Sequence, residues 1–209
     1  MIRISFKLAD IPHTEIKESI SSLGFGAAEA KRLKSISNAE AQGLSLCALL
    51  ALRAALNDTQ EHTVLRTERR KPYFEDLPLH FSLSHVKSLA IAALCDSDIG
   101  VDAEWIDSER RTSDIARRFF SDAERRAIEC ADDPLLAFYS LWTKKEAYAK
   151  LTGKGIAEIY SGELPSKLLF EQYLIELNGK RGILSVCHKK NESISIINTY
   201  KELLLYELF

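Results

Sequence analysis

Cysteine, proline and methionine are scarce in this 209-residue chain, at four, five and one, and neither sign of charge dominates, the formal net charge being -2. Cys47, Cys95, Cys130 and Cys187 lie far apart, and no CxxC or Cys/His pairing has zinc-site spacing. They read as reduced core thiols, not as a disulfide framework or a metal ribbon. The near-zero charge removes bulk attraction to nucleic acid or to an anionic membrane as a leading idea. The longest apolar stretches, Leu44–Leu56 and Leu89–Cys95, read as too short or too interrupted to span a bilayer. The opening segment alternates Ile2, Ile4, Phe6 and Leu8 with polar residues, which is the pattern of a half-buried strand and not of a signal peptide. With 46% hydrophobic and 28% charged residues, the expectation is a soluble, cytoplasmic globular protein.

Along the chain, Ile16, Ile20 and Leu23 recur at helical spacing until Gly24 and Gly26, and Ala39 to Leu56 reads as a long buried helix. Residues 57–78 are charge-dense and read as loop with short extended pieces. Phe81–Leu83, Leu89–Leu94 and a segment beginning at Ile99 read as strands. Ser121-Asp122-Ala123-Glu124 has the form of a capping box, and Asp133-Pro134 places an N-cap and an N1 proline before a helix that Thr152-Gly153-Lys154-Gly155 stops. Strands are expected over Leu168–Leu177, Gly182–Cys187 and Ser193–Thr199, with turns at Asn178-Gly179 and Lys190-Asn191. The repeated order of strand, helices and strands predicts an α+β fold of two similar lobes, residues 1–98 and 99–209, packed without a linker around a shared cleft.

Three segments carry chemistry. In Ile99-Gly100-Val101-Asp102-Ala103-Glu104, a strand's two-residue period puts Asp102 and Glu104 on one face and Val101 and Ala103 on the other. Two like charges so close repel unless a cation lies between them, and hard divalent cations take oxygen ligands. In the helix, Trp142, Glu146 and Lys150 share a face. An isolated Glu/Lys pair at that spacing is a routine surface ion pair, but the tryptophan beside it marks a partly buried face. In Phe81-Ser82-Leu83-Ser84-His85, the serines face away from Phe81 and Leu83, and a hydroxyl and an imidazole stand at a turn suited to an anion. No GxSxG elbow supports a hydrolase triad. Lys31, Arg32, Lys34, Arg69, Arg70 and Lys71 read mainly as solvated charge, with one or two able to reach a phosphate-rich ligand.

Together and in order, Lys71-Pro72, Phe81-Ser82-Leu83-Ser84-His85, Gly100-Val101-Asp102-Ala103-Glu104, Arg118-Phe119-Phe120-Ser121, Trp142-Thr143-Lys144-Lys145-Glu146-Ala147-Tyr148-Ala149-Lys150 and Lys154-Gly155 resemble the motif series of the surfactin-synthetase-type (Sfp-type) 4′-phosphopantetheinyl transferases. The resemblance implies a monomer with two α/β lobes related by a pseudo-twofold axis and coenzyme A in the cleft between them. It implies Mg²⁺ on Asp102, Glu104 and Glu146. Lys150 would hold a phosphate oxygen, Glu146 would be the general base, and Ser84 and His85 would lie near the nucleotide 3′-phosphate. Lys31 and Lys71 are further phosphate contacts on this reading. The implied reaction moves 4′-phosphopantetheine from coenzyme A to a serine of an acyl- or peptidyl-carrier protein, which would dock on the region Asp107–Arg126. Gln42-Gly43-Leu44 stands where the family often has an arginine, so that phosphate contact is either missing or supplied by Lys34. Two other readings use the same features: a Mg²⁺-dependent phosphohydrolase or nuclease, and a non-catalytic carrier-binding module.

Overall fold

The computed structural model describes residues 1–12, 14–155, 158, 164–189, 192–198 and 200–208. The opening alternation forms β1 (Ile2–Leu8), with Ile2, Ile4 and Phe6 buried as the two-residue period requires. Two short helices follow, α1 (Ile16–Ser21) and α2 (Gly26–Lys34). Next comes α3 (Ala39–Leu56), started by the Asn38 side chain accepting from Ala41 N and ended at Asn57 in the left-handed conformation. By length and composition alone α3 could cross a membrane. In the fold, its Leu46, Leu49 and Leu52 are buried in one core with Phe81, Ala92 and Leu94.

The charge-dense region holds a small hairpin of β2 (Val64–Arg66) and β3 (Pro72–Phe74). Three longer strands follow: β4 (His80–Val86), β5 (Leu89–Cys95) and β6 (Ile99–Trp105). Then come α4 (Thr112–Phe119), α5 (Asp122–Glu129) and α6 (Pro134–Thr152). The expected capping box is present: Ser121 Oγ accepts from Glu124 N, and the Glu124 carboxylate accepts from Ser121 N. Asp133 caps α6 ahead of Pro134, and Gly153, at φ +71°, ends it. The sequence reading did not predict α4 as a helix of its own, because no side chain caps its start at Arg111 and the residues before it are a run of charges without period. The chain finishes with β7 (Leu169–Leu177), β8 (Lys180–His188), β9 (Ile194–Ile197) and β10 (Leu204–Glu207). Asn178 and Gly179, both at positive φ, form the β7–β8 turn. The expected turn at Lys190-Asn191 lies outside the described residues.

These strands form two four-stranded sheets, β4-β5-β1-β9 and β10-β7-β8-β6. β9 comes late in the chain yet pairs in parallel with β1, Ile2 facing Ile194, and so completes the first sheet. One face of each sheet contributes to a shared core: Ile4, Phe6, Ile91 and Ala93 from one sheet, Val101, Ala103, Ile175 and Leu184 from the other. α3 covers the opposite face of the first sheet. α6 covers the opposite face of the second, where Phe138 and Trp142 pack on Ile183 and Ala147 packs with Cys187. This is the α+β arrangement expected from the order of elements.

Where β4 meets β6, side chains replace the usual ladder. Ser82 Oγ accepts from Val101 N at 3.0 Å and Ser84 Oγ accepts from Ala103 N at 3.3 Å, both in buried positions. The alternation of Phe81 and Leu83 with Ser82 and Ser84 thus has a structural cause. The apolar pair faces the α3 side, and the hydroxyls satisfy strand donors that no backbone carbonyl reaches.

Candidate active site

The acidic side of the site begins with a glycine. A Cβ at Gly100 would lie 1.9 Å from the Ala147 carbonyl oxygen and 2.7 Å from Leu151 N, so the backbone of α6 rests directly on β6 there. That close approach lays the Glu146–Lys150 turn of the helix over Asp102 and Glu104, which point toward α6 while Val101 and Ala103 enter the shared core. The glycine of the GxDxE segment is therefore a packing requirement, independent of any charge.

Asp102 is 6% exposed. Its Oδ1 accepts from Lys150 Nζ at 2.8 Å and from Ser84 Oγ at 3.0 Å, and Lys150 Nζ also donates to Ser84 Oγ at 2.8 Å. Its other oxygen, Oδ2, is buried without a hydrogen-bond partner. Such an atom is costly unless something charged or polar meets it. Glu104 has a different environment. Trp142 Nε1 donates to Oε1 at 3.2 Å, and Arg110 Nη1 donates to Oε2 at 3.2 Å. Arg110 also lies over the Tyr139 and Trp142 rings, 6.0 and 5.9 Å from their centroids.

Glu146 is the perturbed acid of the group. Burial first, and then the Asp102 charge, push its pKa up to about 7, against the opposing pull of Lys150. At neutral pH it is therefore divided between acid and carboxylate, the condition that suits proton transfer. A buried carboxylate oxygen without a partner, beside two more acids, is the donor chemistry a hard divalent cation takes. The three acids are not gathered as tightly as they could be. Among the described residues, the one group of three or more His, Cys, Asp or Glu ligand atoms lying within 4.8 Å of one another is Cys95, Asp96 and Glu192, at the end of β5 and ahead of β9.

The basic side is a cleft of about 400 Å³ running from α2 and the β2–β3 hairpin to the end of α6. Arg32, Arg66, Arg69, Arg70 and Lys71 line one wall, and Glu146, Lys150 and Lys154 line the other, with His85 between them. Burial, and then the Lys150 charge, hold the His85 pKa below the usual imidazole value, although the ring keeps an exposed rim. Lys71 lines the cleft and donates from Nζ to the Leu151 carbonyl at the end of α6; burial holds its pKa down.

Two expected phosphate contacts lie elsewhere. Lys31 is exposed and does not line the cleft, whereas its neighbour Arg32 does, because consecutive residues on a helix point about 100° apart. Ser84 is buried, and its hydroxyl is spent on Ala103 N, Lys150 and Asp102, which is all one hydroxyl can serve. It braces the acid–ammonium pair and does not line the cleft. Gly43 borders a separate cavity of about 190 Å³, while Ser45 and Ala48 are the α3 residues facing the cleft. Sequence reasoning missed Arg66 and Arg110 altogether. Each sits in a charge-dense stretch where no periodicity separates one arginine from the next.

The profile of the 4′-phosphopantetheinyl transferase superfamily matches residues 98–196. A 4′-phosphopantetheinyl transferase of Bacillus subtilis is 38% identical over 93 residues, 43% of this chain and 41% of its own length. The 4′-phosphopantetheinyl transferase psf-1 of Bacillus pumilus is 38% identical over 101 residues, 46% of this chain and 42% of its own. The 4′-phosphopantetheinyl transferase Sfp of Bacillus subtilis is 37% identical over 93 residues, 43% and 41% of the two chains. The chain thus spans about two-fifths of the length of these curated relatives. The matched segment holds β6 and α6, and with them Asp102, Glu104, Glu146 and Lys150. Over that segment this chain is similar to the 4′-phosphopantetheinyl transferase superfamily.

Proposed function

We propose that this protein transfers the 4′-phosphopantetheine group of coenzyme A to a serine hydroxyl of an apo acyl- or peptidyl-carrier protein, with Mg²⁺, and releases adenosine 3′,5′-bisphosphate. The observation that carries this reading is the joining of two opposite environments in one cleft. Glu146, with its pKa near 7, lines one side together with Lys150, whose ammonium bonds buried Asp102 with its unpartnered Oδ2. A wall of arginines and lysines forms the other side. A diphosphate that must be both bound and cleaved needs both.

In the reaction, the serine oxygen of the carrier forms a bond to the β-phosphorus while the bond from that phosphorus to the bridging oxygen breaks. The bridging oxygen leaves with the bisphosphate. Asp102, Glu104 and Glu146 would hold Mg²⁺, which when bound neutralises charge across the diphosphate. Lys150, fixed between Asp102 and Ser84, directs an ammonium at the phosphate oxygens where negative charge grows. Glu146 accepts the serine proton; a carboxyl with a pKa near 7 serves this better than one near 4.5. Arg110 and Trp142 hold Glu104 in its orientation. Phosphoryl-type transfer asks for this positioning and electrostatic support more than for covalent help from the protein.

The carrier would reach the cleft across α4, α5 and the residues before them, Asp107–Arg126. We read the protein as a monomer of two pseudo-twofold lobes, 1–98 and 99–209, working in the cytoplasm, where thiols such as Cys47 and Cys187 stay reduced.

The test is the intact mass of an apo-carrier protein after incubation with this protein, coenzyme A and Mg²⁺. A gain of one phosphopantetheine, abolished by a chelator, is the expected result. Phosphate or nucleotide release from coenzyme A with no carrier present, and no mass gain with it, would instead mark a hydrolase.

A further inference from the structure

Within the cation-lined wall of the cleft stands one buried acid. Glu29 of α2 is 2% exposed. Arg32, one turn later on the same helix, donates from Nε to its Oε1 at 2.9 Å and places Nη2 2.8 Å from the same oxygen. Arg66, from β2, donates from Nη2 to Oε1 at 2.9 Å and from Nε to Oε2 at 3.3 Å. Its Nη1 donates to the Arg70 carbonyl at 3.1 Å. Both guanidinium groups line the cleft. Against burial, which alone would raise it, the bonds from Arg66 and Arg32 hold the Glu29 pKa below the usual glutamate value.

Two guanidinium groups side by side repel, and long arginine side chains are mobile in water. A single buried carboxylate shared between them removes both difficulties at once. Each guanidinium has five N–H donors, and Glu29 engages only part of each set. The carboxylate lies behind the pair, and the remaining donors belong to groups that border the cavity. The cluster keeps a net charge of +1 and loses much of its rotamer freedom before any ligand arrives, which is how pre-organisation raises affinity.

We propose that Glu29 is a positioning residue. It presets Arg32 and Arg66 as a fork for a phosphomonoester, so that the cleft selects a nucleotide carrying that group over one lacking it. This rests on the coenzyme A reading. The diphosphate belongs beside Asp102 and Lys150, where its bond breaks, and the ribose phosphomonoester is the anion left for the arginines.

The test compares binding of coenzyme A and 3′-dephospho-coenzyme A by calorimetry, for the unaltered protein, Glu29→Gln and Arg32→Gln. The unaltered protein should prefer coenzyme A by roughly ten- to a hundredfold, the range expected for charge-assisted hydrogen bonds. Glu29→Gln keeps the size of the side chain, and it should shrink that preference about tenfold by weakening coenzyme A alone. Arg32→Gln, on a side chain 30% exposed, should do the same while leaving Glu29 its bonds from Arg66, and it serves if Glu29→Gln does not fold. An unchanged preference in either folded variant overturns the proposal, as does an equal loss for both nucleotides, which would mean that Glu29 only holds α2 to the hairpin. A protein that shows the preference but modifies no carrier would sink the transfer reaction and keep the fork. One that binds neither nucleotide sinks both.

Discussion

Lys150 Nζ and Asp102 Oδ1 lie 2.8 Å apart, and the second oxygen of that buried aspartate has no partner. One oxygen of the carboxylate is thus paired from within the chain, and the other is buried without a hydrogen-bond partner. On the proposed reading the pair divides the work: the ammonium would serve phosphate, and the free oxygen would serve a metal.

Replacing Lys150 with alanine separates these roles. Transfer should fall by roughly 100-fold or more, the scale for removing a charge that stabilises a developing oxyanion. The same change leaves Asp102 buried and uncompensated, which should cost about 1–3 kcal/mol in the absence of metal. Thermal melts with and without Mg²⁺ check this: added Mg²⁺ should raise the variant's melting temperature more than it raises that of the unaltered protein. Equal shifts would place the cation away from Asp102.

For Glu146, activity and stability should move oppositely with pH. As a proton acceptor whose pKa without metal is near 7, it should give kcat/KM an acid limb that climbs about tenfold per pH unit, and raising Mg²⁺, which favours the carboxylate, should move that limb to lower pH. Glu146→Gln should be far slower, with that limb absent. Stability runs the other way. The folded pKa lies above the unfolded value near 4.5, so without metal the folded chain binds the extra proton between them. Stability is then lost as pH rises from 4.5 to 7, by on the order of 2 kcal/mol, and is flat above. Urea unfolding at several pH values should show the slope in the unaltered protein and lose it in Glu146→Gln.

Gly100→Ala probes the backbone contact. A Cβ 1.9 Å from the Ala147 carbonyl cannot be relieved by turning a side chain; α6 has to lift from β6. The expected cost is about 3 kcal/mol or more, read from urea unfolding, together with loss of transfer as Glu146 and Lys150 move off Asp102. A stable, active Gly100→Ala protein would show that the strand and helix tolerate a wider spacing.

His62 supplies a stability switch away from the cleft. Its side chain is 3% exposed and lies 2.9 Å from Asp76 and 3.1 Å from Asp58. Against burial, these carboxylates hold its pKa above the ordinary 6.5. The stabilising contribution of its charge is complete below pH 6.5 and disappears as pH rises through the folded value. His62→Gln should remove this loss, so melting temperatures of the two proteins should diverge at pH 6 and converge at higher pH. Parallel curves would mean that His62 stays neutral between its acids.

Much of the frame was legible in the sequence because it depends on neighbours along the chain. The two-residue period of β6 put Asp102 and Glu104 on one face. Ser121/Glu124 and Asp133-Pro134 announced the starts of α5 and α6, and Asn178-Gly179 announced a turn that needs two positive φ angles. Local backbone geometry decides all of these. It also placed Trp142, Glu146 and Lys150 on one side of α6.

What only the tertiary structure decided is which of several like residues meets which partner. Lys31 and Arg32 are adjacent cations, and the orientation of α2 against the hairpin turned one to water and the other to the cleft. Lys144 and Lys145 read alike in sequence, yet Lys145 is fully buried, 2.9 Å from Glu124. Ser84 looked like an anion contact until β6 took its hydroxyl. Arg66 and Glu29 are far apart in the chain and meet only once the hairpin folds against α2. Periodicity sets the direction of a side chain relative to its own element. The placement of that element comes from cores shared across the chain, and no local pattern encodes them.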